Sequence, residues 1–229
     1  MKVLIKGAGD LASGIACRLH HCGMDVVMTE IGIPTTVRRT VAFSPAIYEG
    51  KAEVEGIEGV RCDSLEEMVI AVAERKIPVL EDPECQLAME WRPDVVVDAI
   101  IAKKNLGTTI RDAKIVIGVG PGFMAGADCH CVVETKRGHD LGRVLWKGSA
   151  VPNTGVPGMI GGYAKERIIR ASGDGIFKGM CRIGDLVEKG QLVGMAGENL
   201  IYAEIPGVVR GLLQDGVPVK MGMKSGDID

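Results

Sequence analysis

The stretch KVLIKGAGDLASGIACRLHHCGMDVVMTE, residues 2–30, decides how the chain begins to fold. Val3-Leu4-Ile5, held between Lys2 and Lys6, reads as the centre of a short buried strand. Gly7-Ala8-Gly9-Asp10-Leu11-Ala12 follows as a G-x-G-x-x-A turn. Leu11, Ile15, Leu19 and Cys22 then recur at helical spacing, with Ala12 and Ala16 beside them. Gly23 stands where a left-handed cap commonly ends a helix. Asp25 to Glu30 reads as a second strand that closes on an acid.

Each part of this strand–turn–helix–strand unit has a physical task. Gly7 permits the tight turn, Gly9 lets the backbone approach a pyrophosphate, and Ala12 keeps helix and strand close. The helix start offers its N–H groups to an anion. Glu30, 23 residues beyond Gly7, stands where a carboxylate accepts hydrogen bonds from a ribose. Asp10 cuts both ways, since a carboxylate there caps the helix and repels phosphate. Arg38 and Arg39 are placed to neutralise a phosphate or to form a solvated face. The competing reading of the whole unit is a glycine turn that never meets a ligand.

Further on, Ser64-Leu65-Glu66-Glu67 is a capping box, predicting a helix to about Arg75. Ile77 to Leu80 reads as a strand, and Asp82-Pro83 as the start of another helix. Asp94–Ile101 and Lys114–Val119 are the near-continuous apolar runs of central parallel strands. This alternation predicts an α/β, Rossmann-like, doubly wound parallel sheet over residues 1–165. Ligands of such sheets lie beyond the carboxyl ends of the strands. Lys103, in the loop after one central strand, and Gly120 and Gly122, after the next, are expected there.

Asp128-Cys129-His130-Cys131-Val132-Val133-Glu134-Thr135 is chemically dense. Read as a strand, it puts Asp128, His130 and Glu134 on one face and both cysteines on the other. A row of Asp, His and Glu can relay a proton or hold a metal. Consecutive Cys-His-Cys is a poor chelate because strand neighbours point apart, so no metal is expected. A polar ligand pocket from His130, Glu134, Arg137 and His139 is the alternative to an edge strand carrying polar residues outward. Asn153-Thr154-Gly155-Val156-Pro157-Gly158 reads as a loop that covers a ligand or links two halves.

From Glu166 the pattern changes to short β segments. Gly184-Asp185-Leu186-Val187-Glu188-Lys189-Gly190 and Gly216-Val217-Pro218-Val219-Lys220-Met221-Gly222 share G-x-x-V-x-x-G, 32 residues apart. Two such halves resemble the small all-β barrel-sandwich of biotinyl/lipoyl domains, here residues 166–229. Those carriers bear a modifiable lysine between their halves. Gly197-Glu198-Asn199-Leu200 has none, so neither biotin nor lipoate is expected.

Composition narrows the classes. The 229 residues carry a net charge of −3 and eight aromatic side chains (two Trp, three Tyr, three Phe), which argues against nucleic acid and anionic membranes as partners. No signal peptide or membrane span is expected, since the run from Val95 to Ala102 is short and broken by Asp98. Seven cysteines without a CxxC pair fit reduced thiols in the cytoplasm.

The segments KGAGDLASGIACRL from Lys6, TEIGIPTTVRRTVAFS from Thr29, DAIIAKKNLGTTI from Asp98, GVGPGFMAGADCHCVVETKRGHDLGRV from Gly118 and NTGVPGMIGGY from Asn153 resemble the YqeB-type family of accessory proteins. These accompany selenium-dependent molybdenum hydroxylases. The resemblance implies a maturation role, with such a hydroxylase as partner, and supplies no catalytic residues. The ligand then expected is a nucleotide-like cofactor, either of the molybdopterin cytosine dinucleotide type or NAD(P). Gly7, Gly9 and Asp10 frame its phosphates and Glu30 its sugar, with Lys103, His130, Glu134 and Arg137 opposite. The alternative is an NAD(P)-dependent oxidoreductase using His130 or His139 as general acid, and a third reading is a scaffold with an empty site. A homodimer is the common default.

Overall fold

A computed structural model of the chain describes residues 1–153, 155, 159 and 161–229. The remaining residues of the Asn153–Gly158 loop lie outside the described residues. The chain forms two compact units, Met1–Pro34 with Val41–Thr154, and Thr35–Thr40 with Gly155–Asp229.

The first unit begins as its sequence directs. β1 (Lys2–Lys6) leads through the glycine turn into α1 (Asp10–His21), and β2 (Asp25–Glu30) pairs parallel to β1. Gly23 takes φ +81 beyond the last helical turn. There follow α2 (Ala46–Glu49), the hairpin β3 (Lys51–Val54) and β4 (Ile57–Cys62), α3 (Leu65–Ala73), β5 (Ile77–Glu81) and α4 (Gln86–Glu90). β6 (Val95–Asp98), β7 (Ile115–Val119), β8 (Cys131–Val133) and β9 (Val144–Leu145) complete a nine-stranded sheet in the order β3-β4-β5-β2-β1-β6-β7-β8-β9. Ser64 caps α3 by accepting from the Glu67 N–H, while Glu67 reaches back to the Asp63 N–H. Asp82 accepts from the N–H groups of Gln86 and Ala88, so it ties down the start of α4 from outside the helix.

Side-chain alternation divides the sheet's core. Val3, Ile5 and Met28 join Ala12, Ala16 and Phe43 on one face. Leu4, Val27 and Leu80 join Met68, Ala88 and Trp91 on the other. A fully buried side chain of this kind contributes roughly 1.5–3 kcal/mol.

The second unit contains β10 (Ile168–Arg170), β11 (Gly175–Gly179), β12 (Leu186–Val187), β13 (Leu192–Ala196), β14 (Asn199–Tyr202), β15 (Gly207–Leu212), β16 (Pro218–Val219) and β17 (Lys224–Ile228). They make two four-stranded antiparallel sheets, β10-β17-β15-β12 and β14-β13-β11-β16, around Phe177, Val193, Leu212, Leu213 and Ile228. Each copy of the G-x-x-V-x-x-G repeat supplies a two-residue edge strand to one sheet. The glycines bounding each copy have positive φ, and Val187 and Val219 are buried.

The expected Rossmann-like doubly wound parallel sheet followed by a biotinyl/lipoyl-like barrel-sandwich is not the architecture found. The nine-stranded sheet is mixed, because β3 and β9 run antiparallel to their neighbours at its two edges. At the β3–β4 edge Glu55 (φ +51) and Gly56 (φ +76) form the two-residue turn that reverses a chain into a hairpin. Doubly wound sheets need a helix in every crossover, and those from β6 to β7 and from β7 to β8 hold none. Asn105 accepts from the N–H groups of Gly107 and Thr108 in the first of them, a local turn that competes with helix. Glycine and proline fill the second. The second unit is a pair of antiparallel sheets, each with its own order.

Candidate functional site

Three loops leave the carboxyl ends of β1, β6 and β7 and meet backbone to backbone. Gly7 has φ +92, and a Cβ there would stand 3.0 Å from Ile100 Cα. Gly122 has φ +113, and a Cβ there would stand 2.6 Å from Lys104 Cα. Glycine is required at both positions by conformation and by space. Ile101 (φ +59) and Lys103 (φ +64) are also left-handed, a strained state for a β-branched residue. Gly120 (φ +80) stands against the Thr135 side chain.

Glu30 ends β2 with its carboxylate fixed from two sides. Its Oε2 accepts the Ala8 N–H at 2.9 Å, and its Oε1 accepts the Ile31 N–H at 2.9 Å. Burial pushes its pKa above the ordinary 4.5, and these two N–H groups pull it partly back. Ala8 in turn accepts from the Ser44 N–H and the Ser13 hydroxyl through its carbonyl. Gly9 is the N-cap of α1, with φ −70 and ψ −178. Unlike Gly7, it does not need to be glycine for its φ. Asp10 lies in the first turn, and Ala12 is fully buried where the helix meets the sheet.

A cavity of about 250 Å³ opens beside this turn, lined by Lys6, Gly7, Glu30, Asp98, Leu106 and Thr108, among others. The Thr108 hydroxyl donates to Asp98 Oδ2 at 2.6 Å and accepts from Lys6 Nζ at 2.9 Å. Lys6 also pairs with Asp112 at 3.4 Å. The lining therefore offers acceptors for hydroxyls at Glu30 and Asp98, while its cation, Lys6, is already engaged by Asp112 and Thr108. Lys6, Asp98 and Thr108 are site residues that the sequence reading missed. Asp98 had a visible signal, an acid interrupting an apolar strand.

The other expected residues are scattered. Arg38 belongs to the second unit, where it pairs with Asp227 at 3.1 Å. The Asp128–Thr135 segment is extended only over β8, so the expected row of Asp128, His130 and Glu134 does not assemble. Asp128 accepts the Met124 N–H in a turn. The His130 Nδ1 accepts the Val116 N–H at 2.9 Å. Glu134 is buried; that alone would raise its pKa, but the N–H groups of Val151, Lys136 and Thr135 outweigh it and hold the carboxyl below its ordinary value. It ties loops together and is not poised as an acid. Arg137 and His139 are exposed, and none of the residues from His130 to His139 lines the cavity. Among the described residues no cluster of three His, Cys, Asp or Glu side chains could hold a metal ion. No helix among them is long and apolar enough to cross a membrane.

No family model matches the chain. It is 49% identical over 227 residues to the "Uncharacterized protein YqeB" of Escherichia coli (strain K12), covering 99% of this chain and 42% of that protein. The chain is thus a relative of YqeB and spans less than half of its length. Among solved structures it is similar to a succinylglutamatedesuccinylase/aspartoacylase from Rhodobacter sphaeroides, 14% identical with a TM-score of 0.28 over 59% of this chain and 58% of that one. It is also similar to an aspartoacylase family protein from Mesorhizobium loti, 11% identical with a TM-score of 0.30 over 99% and 84%. The ectoine utilization protein EutE (DoeB) from Ruegeria pomeroyi, in its apo structure, is 10% identical with a TM-score of 0.29 over 99% and 85%. Likeness at such scores carries no argument about fold or function.

Proposed function

We propose that this relative of YqeB is a cytoplasmic accessory protein that binds a nucleotide-like cofactor, of the molybdopterin type or a dinucleotide, beside its first glycine turn. The partner that receives the cofactor is, by the resemblance described above, a selenium-dependent molybdenum hydroxylase. One observation carries the binding reading. A carboxylate, Glu30, is anchored by the Ala8 and Ile31 N–H groups next to Gly9, a glycine that its own φ does not demand. With no Cβ at Gly9 the backbone is bare at the start of α1, which favours an anion. The 250 Å³ cavity is smaller than the roughly 300–1,000 Å³ of most small-molecule sites. It therefore takes one polar part of the ligand, a sugar or a pterin edge, with the phosphates over α1.

Thermal unfolding with NAD, NADP, CTP and isolated molybdopterin tests this. A ligand at a hundred times its dissociation constant stabilises by about 2.7 kcal/mol. The Gly9→Val variant should fold and lose that stabilisation, and Glu30→Ala should weaken it. If none of the four compounds stabilises the protein, or if Gly9→Val responds as the wild type does, the reading fails.

A further inference from the structure

The second unit holds the larger cavity, about 790 Å³, and the function proposed above makes no use of it. Three basic side chains line it, Arg39, Lys178 and Arg182. They come from separate places. Arg39 arrives on the Thr35–Thr40 segment, Lys178 lies on β11, and Arg182 lies in the turn after β11.

Arg39 is held in place. Its Nε donates to the Leu212 carbonyl at 2.8 Å and its Nη1 to Gln214 Oε1 at 2.6 Å. The backbone it leans on is fixed in turn by the Leu212 N–H donating to the Val37 carbonyl at 2.7 Å. The Nη2 edge of the guanidinium has no partner among the described residues, and a planar fork fixed on one side is suited to phosphate oxygens on the other. None of Arg39, Lys178 and Arg182 forms an ion pair among the described residues. Asp185 and Asp215 also line the cavity, and each uses one carboxylate oxygen to hold a turn. Asp215 accepts the Gly179 N–H at 2.8 Å and Asp185 accepts the Arg182 N–H at 2.8 Å. In a chain of net charge −3, this cavity of ligand size gathers three cations from two segments against two carboxylates, an excess of one positive charge.

We propose that this cavity is a second binding site, for a small molecule bearing a diphosphate or a similarly dense phosphate group. The diphosphate of a nucleotide and inorganic pyrophosphate share the required chemistry. The site lies wholly in the second unit and does not depend on the glycine turn of the first.

Calorimetric titration of the full chain with inorganic pyrophosphate, and separately with CTP, tests the proposal. Pyrophosphate should bind, and a tighter fit for CTP assigns the ligand to the nucleotides. The double variant Lys178→Glu/Arg182→Glu changes exposed side chains, so it should fold, and it should weaken pyrophosphate by about tenfold or more. Arg39→Lys keeps the charge but loses the fork, and should weaken it by a few-fold. Gly9→Val should bind pyrophosphate as the wild type does, whatever becomes of the first site. The proposal is overturned if the wild type takes up no pyrophosphate. It is equally overturned if the double variant binds unchanged, or if Gly9→Val abolishes binding.

Discussion

The two units hold their shape by different means. In the first, loops at the carboxyl ends of parallel strands touch backbone to backbone, and Gly7 and Gly122 are the contact points. In the second, antiparallel ladders are tied by charge. Asp227, 4% exposed, meets both Arg38 at 3.1 Å and Lys224 at 2.8 Å, and Arg167 and Arg210 both reach Asp229. One region is intolerant of added atoms and the other of removed charges. The first unit brings its loops together through bare backbone at these two glycines. The antiparallel unit presents side chains.

This contrast can be broken by substitution. The largest loss is expected for Gly122→Val, which puts a branched side chain at φ +113 against the Lys104 backbone. It should cost roughly 3–5 kcal/mol. Both tryptophans, Trp91 and Trp146, lie in the first unit, so intrinsic fluorescence during urea unfolding should show the midpoint fall. An unchanged midpoint would mean that the loops are not in close contact.

Next comes Asp227→Ala, which takes a buried carboxylate away from Arg38 and Lys224. Their partial exposure (25% and 41% of the side chain) softens the loss to roughly 2–3 kcal/mol. Amide exchange should speed up in β15 and β17 and stay as it was in β1 and β2. Faster exchange in both regions would erase the distinction drawn here.

Glu134→Gln keeps one acceptor and loses a charged one, for roughly 1–2 kcal/mol in the first unit. If His130 and Glu134 formed a catalytic pair this variant would retain its stability, so the urea midpoint separates the two roles.

The smallest effect is one of sign. Asp227 is buried, which alone would raise its pKa, but Lys224 and Arg38 hold it below the ordinary 3.8. A depressed acid stabilises the fold above its ordinary value, and that contribution is lost as the pH falls below 3.8 through the folded value. Glu30 behaves oppositely. Its folded pKa is raised above 4.5, so the stability it confers when protonated is lost as the pH rises from 4.5 through the raised value. Wild-type stability should therefore fall relative to Glu30→Gln as the pH climbs through that window. The difference should run the other way for Asp227→Asn, with the wild type losing its advantage in acid. Two curves with the same slope would show that burial of Glu30 is not what distinguishes it.

Local pattern carried the opening of the chain far. The 3.6-residue recurrence of Leu11, Ile15 and Leu19 and the acid at Glu30 were enough to place β1, α1 and β2 where they lie. The two G-x-x-V-x-x-G copies likewise emerge as matching edge strands, because each is a turn, a strand and a turn within seven residues. What the sequence concealed is non-local. Lys6 meets Thr108 across 102 positions, and Val37 meets Leu212 across 175. No periodicity records such partners. The doubly wound expectation failed for a related reason. Apolar runs identify strands, but whether a helix fills the crossover depends on turn-forming residues such as Asn105, which an apolar pattern does not register.

The excursion of Thr35–Thr40 into the second unit has a consequence for how this protein can be taken apart or inherited. The polypeptide passes between the units at Pro34–Thr35, Thr40–Val41 and Thr154–Gly155. A truncation after the last of these yields a tail without Val37 and Arg38, so Leu212 loses the Val37 carbonyl and Asp227 keeps only Lys224 of its two cations. Neither half is a portable cassette. Recombination with a single crossover would not transplant the tail intact, and an engineer who wants it alone must graft six residues from the front of the gene onto it.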